Sequence, residues 1–175
     1  MKLLVIDIQN GLLEDDLYNK ENFLKKVSKL ISTARKNNIE VIYVMHDEGK
    51  GSGFSIGDHA FEIGKRVKPL DNEKVYIKTI NSAFGNKEFE AYLKESNDKD
   101  LMIVGLQTEY CIDATIKSAF ERGYKVYIPN GCNSTFDTPY LDAKNLVKYY
   151  YEWIWYDRFG KCITYKDAVS LLENK

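Results

Sequence analysis

Cysteine, proline and histidine are scarce in this 175-residue chain, at three, three and two residues. Cys111, Cys132 and Cys162 are odd in number and widely spaced, with no Cys-x-x-Cys pair. That pattern argues against a disulfide framework or a zinc ribbon and suits a reducing cytoplasm. Charge of one sign is also missing: 25 Lys and Arg stand against 26 Asp and Glu, for a net charge of −1. The two signs are interspersed, which reads as a solvated surface and excludes a basic nucleic-acid footprint. No apolar run is long enough to span a bilayer, so no membrane partner is expected. The opening MKLLVIDIQN has a Lys and a short apolar run but no small-residue cleavage site, and an acidic residue interrupts it. It therefore reads as a strand rather than a signal peptide. Repeats, low-complexity tracts and Pro/Gly/Ser linkers are absent, and a single domain over residues 1–175 is the expectation.

What is present alternates between two periods. Residues 3–8 form a continuous apolar run broken by Asp7, as a strand buried on both faces would. Further strand-like runs lie at 41–45, at KVYIK (Lys74–Lys78), at 101–104 and at 126–128, with a short sixth at 162–164. Between them, Phe23, Val27, Leu30, Ile31 and Ala34 recur at helical spacing, and Asn37–Asn38 supplies a stop. Asn86 is placed to cap a second helix. A third is expected over 111–122 with Gly123 as its C-cap, a long fourth over 141–156, and a last one opened by the pair Thr164 and Asp167. This order predicts an α/β fold: a mostly parallel, Rossmann-like sheet of about six strands with helices on both faces, joined by right-handed crossovers.

Polar residues that interrupt apolar strands are then informative. Asp7 sits near the end of strand one, Lys78 ends strand three, and Cys111 follows strand four at a helix start. In an open parallel sheet every strand C-terminus faces one edge, and ligands bind there where strand order reverses. Alone, each residue has a bland reading: a capping carboxylate, a surface lysine, a buried inert thiol. Together they meet one another's needs. A thiol needs ionising, which a cation and a helix N-terminus favour and a carboxylate can complete. A buried Asp in turn needs a cation.

"VIDIQN" with Asp7 and Gln9, "NSAF" at 81–84 after Lys78, "GLQTEYCIDAT" around Cys111, and "ERGYKVYIPNGCNSTFD" at 121–137 together resemble the isochorismatase-like cysteine hydrolase superfamily. The resemblance implies a three-layer α/β/α sandwich and a catalytic triad of Asp7, Lys78 and Cys111. It also implies a non-proline cis peptide at Leu106–Gln107 and an oxyanion hole made by the backbone amides of Gln107 and Cys111. The implied chemistry is cleavage of a C–N bond in a small amide or carbamoyl/ureido compound through a thioester, without a cofactor. Isochorismatases proper, which cleave a vinyl ether, typically lack the cysteine kept here.

The same residues admit rival readings. Nicotinamidases in this superfamily bind a metal through an Asp-x-His motif and a further histidine. Here "MHDEGKGSG" reverses the order, and a His46–Asp47–His59 cluster lacks a ligand, so no metal is expected. A Cys111–His46 arrangement is the enzymatic rival, and a non-catalytic scaffold is the rival from another class. Phe84 and Tyr110 are expected at the wall of the substrate pocket with Gln9 as a polar residue just behind it, together with the loop 49–57 and the turn 81–85. Cys132 and Cys162 read as core thiols. In "YYYEWIWYDRF", Tyr150, Tyr151, Ile154 and Trp155 can pack on the sheet, while Tyr149, Trp153 and Tyr156 form an unusually aromatic exposed surface. That surface predicts a homo-oligomer, dimer or tetramer, as the only macromolecular partner.

Overall fold

The structure is a computed structural model and describes residues 1–14 and 16–174. Among the described residues, seven strands form one parallel sheet: β1 (Lys2–Ile6), β2 (Glu40–His46), β3 (Lys74–Lys78), β4 (Asp100–Leu106), β5 (Lys125–Pro129), β6 (Asn133–Ser134) and β7 (Lys161–Ile163). Their order is β3-β2-β1-β4-β5-β7, with β6 paired to the far end of β4. The chain moves outward from β1 to β3 on one side, then returns to lay β4 against the other side of β1. The reversal therefore falls between β1 and β4, where an open α/β sheet forms its ligand crevice.

Helices α1 (Lys20–Lys36), α2 (Lys87–Glu95), α3 (Asp113–Glu121), α4 (Ala143–Tyr149) and α5 (Tyr165–Glu173) cover the sheet. Alternation along β1 shows why its sequence is apolar throughout. Leu3 and Val5 enter one core with Phe23, Val27 and Leu30 of α1 and with Ala168 and Leu172 of α5. Leu4 and Ile6 enter the other, with Phe89 and Leu93 of α2 and Ile116 and Ala119 of α3. Successive side chains of a strand point to opposite faces, so a strand between two helical layers has no polar face to show. This is the expected three-layer α/β/α arrangement. Among the described residues, no helix is long and apolar enough to cross a membrane.

Local signals act as the sequence suggests at several ends. Asn86 accepts from the Phe89 amide at 2.8 Å, and Thr164 accepts from the Asp167 amide at 3.1 Å. Helix α1 stops at Asn37, with Asn38 left-handed, and Gly123 takes φ +79° after α3. Other expectations change. The sheet has a seventh strand, β6, whose two residues are too few to show a period. Cys111 does not begin an α-helix; it lies in a π-helical turn, Thr108–Ile112, that precedes α3. The fourth helix is split, with α4 followed by a second π-helical turn, Tyr150–Ile154. Beyond that wider turn Trp155 is fully buried, donating its indole N–H to Asp113 at 2.9 Å. Cys132 is a core residue, whereas Cys162 on the edge strand β7 is only partly buried. Tyr149, Trp153 and Tyr156 are exposed on the single chain.

Gly105 sits where β1 and β4 must touch. Its φ is +138°, and a Cβ there would lie 1.9 Å from the carbonyl oxygen of Ile6. No side chain can yield, because the obstacle is backbone. Gly105→Ala is expected to cost ~2 kcal/mol or more by forcing the two central strands apart. Urea denaturation checks this; a midpoint matching the parent would contradict so close a contact.

Candidate active site

Four neighbouring strand ends each deliver one reactive group to a common rim. Lys78 ends β3 and His46 ends β2, and the two are direct cross-strand partners. Asp7 follows β1, whose last residue pairs with Gly105 of β4, and Cys111 follows β4. Asp7 has φ 50°, a left-handed conformation that aspartate tolerates better than most residues, and this ends β1. Its amide still donates to Val44 at 2.9 Å.

The groups converge on the Lys78 ammonium. Lys78 Nζ lies 2.7 Å from Asp7 Oδ2, with both side chains fully buried. The same nitrogen contacts His46 Nδ1 at 3.0 Å and donates to Cys111 Sγ at 3.3 Å. The approach to Asp7 is an ion pair rather than a well-angled hydrogen bond. Neither Asp7 oxygen has a hydrogen-bond partner of standard geometry among the described residues. A buried carboxylate so thinly solvated holds its proton more tightly. Burial accordingly pushes the Asp7 carboxyl above its ordinary value, with the Lys78 charge opposing. Burial and then the Asp7 charge push the Cys111 thiol up to about 12, with Lys78 again opposing. Burial thus favours the protonated thiol over the thiolate. Burial and then the Lys78 charge hold the His46 imidazole below its ordinary value, so the ring is neutral near pH 7.

Asp7, His46 and Cys111 open into a cavity of about 420 Å³, lined also by Gly11, Leu12, Glu48, Phe54, Asn81, Gln107 and Tyr110. The loop 49–57 reaches it through Phe54, whose ring occupies the space a side chain at residue 11 would need. Asn81, from "NSAF", has its Oδ1 3.9 Å from Cys111 Sγ. The Leu106–Gln107 peptide is cis, and Gln107 lies at the cavity with half-exposed Tyr110. One expected wall residue is elsewhere. Phe84 is buried in the core, its ring 5.3 Å from that of Phe89 and 5.9 Å from that of Tyr124, because "SAF" turns its aromatic inward. Gln9 is buried behind the wall. Its amide brackets the His46 backbone, accepting from N at 2.8 Å and donating to O at 3.0 Å, and also donates to Phe61 O at 2.9 Å.

His46, Asp47 and His59 do not converge. Asp47 binds its own loop, and hydrogen bonds from Ser55 and the Gly49 amide hold its carboxyl below the ordinary value. His59 is exposed beside Glu62. Donor atoms of Asp7, His46 and Cys111 do lie within 4.8 Å of one another. Lys78 Nζ already stands against all three, so an ion could enter only by displacing it. Sequence reasoning left His46 outside the triad; its place at a polar strand end was available, its register with Lys78 was not.

Comparison with known proteins agrees with this architecture. Residues 2–164 match the model of the Isochorismatase domain. The uncharacterized isochorismatase family protein YddQ of Bacillus subtilis is 36% identical over 127 residues, covering 70% of this chain and 71% of YddQ. A streptothricin hydrolase of Streptomyces noursei is 26% identical over 139 residues, covering 78% of this chain and 55% of that protein. The crystal structure of a cysteine hydrolase from Pseudomonas syringae pv. phaseolicola shares the fold with a TM-score of 0.90 at 20% identity, over 98% of this chain and 92% of that one.

Opposed charges beside Cys111 should be separable by substitution. Asp7→Asn removes a charge that disfavours the thiolate, so iodoacetamide should alkylate Cys111 faster than in the parent at pH 8. Lys78→Met removes the favourable charge and should slow alkylation. Peptide-level mass spectrometry reads both rates; equal rates in all three proteins would contradict this balance of charges.

Proposed function

The chain belongs to the isochorismatase family, and from that footing we propose that it is a cysteine hydrolase cleaving a C–N bond of a small amide or carbamoyl/ureido compound. The observation that carries this reading is the buried Lys78 ammonium in contact with both Asp7 and Cys111 at the cavity wall. Asp7 takes the thiol proton as Cys111 Sγ bonds to the carbonyl or carbamoyl carbon. Backbone amides of Gln107 and Cys111 hold the oxyanion. As the tetrahedral centre collapses, the C–N bond breaks and Asp7 hands its proton to the leaving amine, which leaves a thioester. Asp7, again a carboxylate, deprotonates a water that attacks the thioester, then returns the proton to sulfur. Lys78 compensates the negative charge on Asp7 and on the sulfur throughout. No cofactor enters this scheme.

Lining chemistry favours neutral or cationic substrates over anionic ones. Among the described residues, Glu48 is the acidic residue lining the cavity beside Asp7, and no arginine lines it. Lys78, buried behind the wall, is already paired. Three free thiols support a cytoplasmic setting for the activity.

A panel of small amides, ureido compounds and nicotinamide, assayed by ammonia release, tests the proposal. At least one compound should be turned over, and Cys111→Ala should abolish that turnover with the melting temperature unchanged. Full activity in the Ala variant would rule out the covalent route. The acid limb of kcat/KM gives a second test. Asp7 works as its carboxylate, which exists only above its folded pKa; burial raises that pKa, so activity should fall with decreasing pH at a midpoint above 3.8. A limb at or below 3.8 would remove Asp7 as the base.

A further inference from the structure

His46 lines the cavity, contacts Lys78 and has no part in the triad scheme. Lys78 is fully buried, and an ammonium has three N–H groups to satisfy. Three side-chain atoms surround it: Asp7 Oδ2 at 2.7 Å, His46 Nδ1 at 3.0 Å and Cys111 Sγ at 3.3 Å. Two of these change during a hydrolysis. Asp7 gains a proton and becomes a weaker acceptor. Cys111 gains an acyl group, and a thioester sulfur is a poor acceptor. The imidazole alone of the three is chemically the same before, during and after. With the ammonium donating to Nδ1, the neutral ring carries its proton on Nε2 and stays an acceptor at Nδ1.

We infer that His46 is a positioning residue, the constant anchor that keeps the Lys78 ammonium between Asp7 and Cys111 while both of those partners change state. The anchor is itself built in. His46 pairs with Lys78 across β2 and β3, so the two side chains leave adjacent strands at the same level. Gln9 clamps the His46 backbone from both its N–H and its C=O side and is tied to Phe61, which holds the end of β2 beyond its regular ladder. A general-base role for His46 towards the thiol is incompatible with this arrangement, because the nitrogen facing the centre already receives a hydrogen bond from the ammonium. Charged and titratable groups near the ring are Lys78, Asp7, Glu48, Asp47 and the Cys111 thiol. None of the three carboxylates is placed to replace the imidazole as an acceptor: Asp7 is already the ion-pair partner, Asp47 is held by its own loop, and Glu48 is exposed at the mouth.

The proposal rests on the Asp7–Lys78–Cys111 reading, yet its test does not require a substrate. Iodoacetamide alkylation of Cys111 is followed by peptide-level mass spectrometry from pH 6 to pH 10 in the parent, His46→Ala, His46→Phe and His46→Asn. Loss of the acceptor frees the ammonium to leave the sulfur, so the thiolate is less favoured. His46→Ala should alkylate ~10-fold more slowly at a given pH, with the rate profile displaced to higher pH by about one unit. His46→Phe removes the acceptor while keeping ring volume, and should do the same even if the Ala variant folds poorly. The side-chain oxygen of Asn can sit near the position of Nδ1, so His46→Asn should recover most of the parent rate and profile. A structural or proton-carrying role would not be rescued by Asn. An unchanged or faster rate in both Ala and Phe variants, or an Asn variant no closer to the parent than Ala, overturns the inference. Failure of the amide panel would leave these rates readable, so the two readings fail separately.

Discussion

A single ammonium group organises this molecule's reactive edge. Lys78 is withdrawn from water at the end of an edge strand, which is costly unless anions or strong acceptors meet it. The sheet supplies them: Asp7 from the central strand, His46 from the strand between, Cys111 from beyond the reversal point. Each of these side chains is defined by its distance to the same nitrogen. The close β1–β4 contact at Gly105 and the clamp of Gln9 on His46 serve that geometry, since a shift at either would open the centre to water.

The balance of charges also explains why a cysteine here can be both buried and useful. Desolvation and a neighbouring carboxylate favour the proton staying on sulfur. The same desolvation makes the carboxylate a stronger base than an exposed one. In the proposed mechanism proton and nucleophile separate only when a substrate carbon is at hand, and the lysine limits the cost of doing so. A helix dipole is not needed for this; the cysteine sits in a π-helical turn ahead of α3 rather than at its first residue.

Much of the fold was legible because its physics is local and repetitive. Strands covered on both faces are apolar at every position, as β1 is, and helix ends carry their caps in the sequence, as Asn86 and Thr164 do. The polar residues closing those strands stood out against that background, so Asp7, Lys78 and Cys111 could be grouped from topology alone. What escaped depends on how side chains turn in three dimensions. Phe84 faces the core because a short 3-10 turn directs it there, and no period extends over so few residues. β6 is too short to show alternation. The extra residue in the turn before Trp155 is set by burial of the indole against Asp113, a contact 42 positions away in the chain. His46 was noticed as a strand end, but its role as a partner of Lys78 follows from strand register, which composition does not carry.

Burial leaves Asp7 a paired carboxylate with heightened proton affinity. A ¹³C NMR titration of the aspartate side-chain carboxyl carbons, with the Asp7 signal assigned by its absence in Asp7→Asn, tests it directly. The Asp7 signal should titrate above the value of about 3.9 seen for an exposed aspartate. A midpoint at or below that value would show the lysine, not desolvation, to be dominant, and would contradict a resting thiol poised beside its own base.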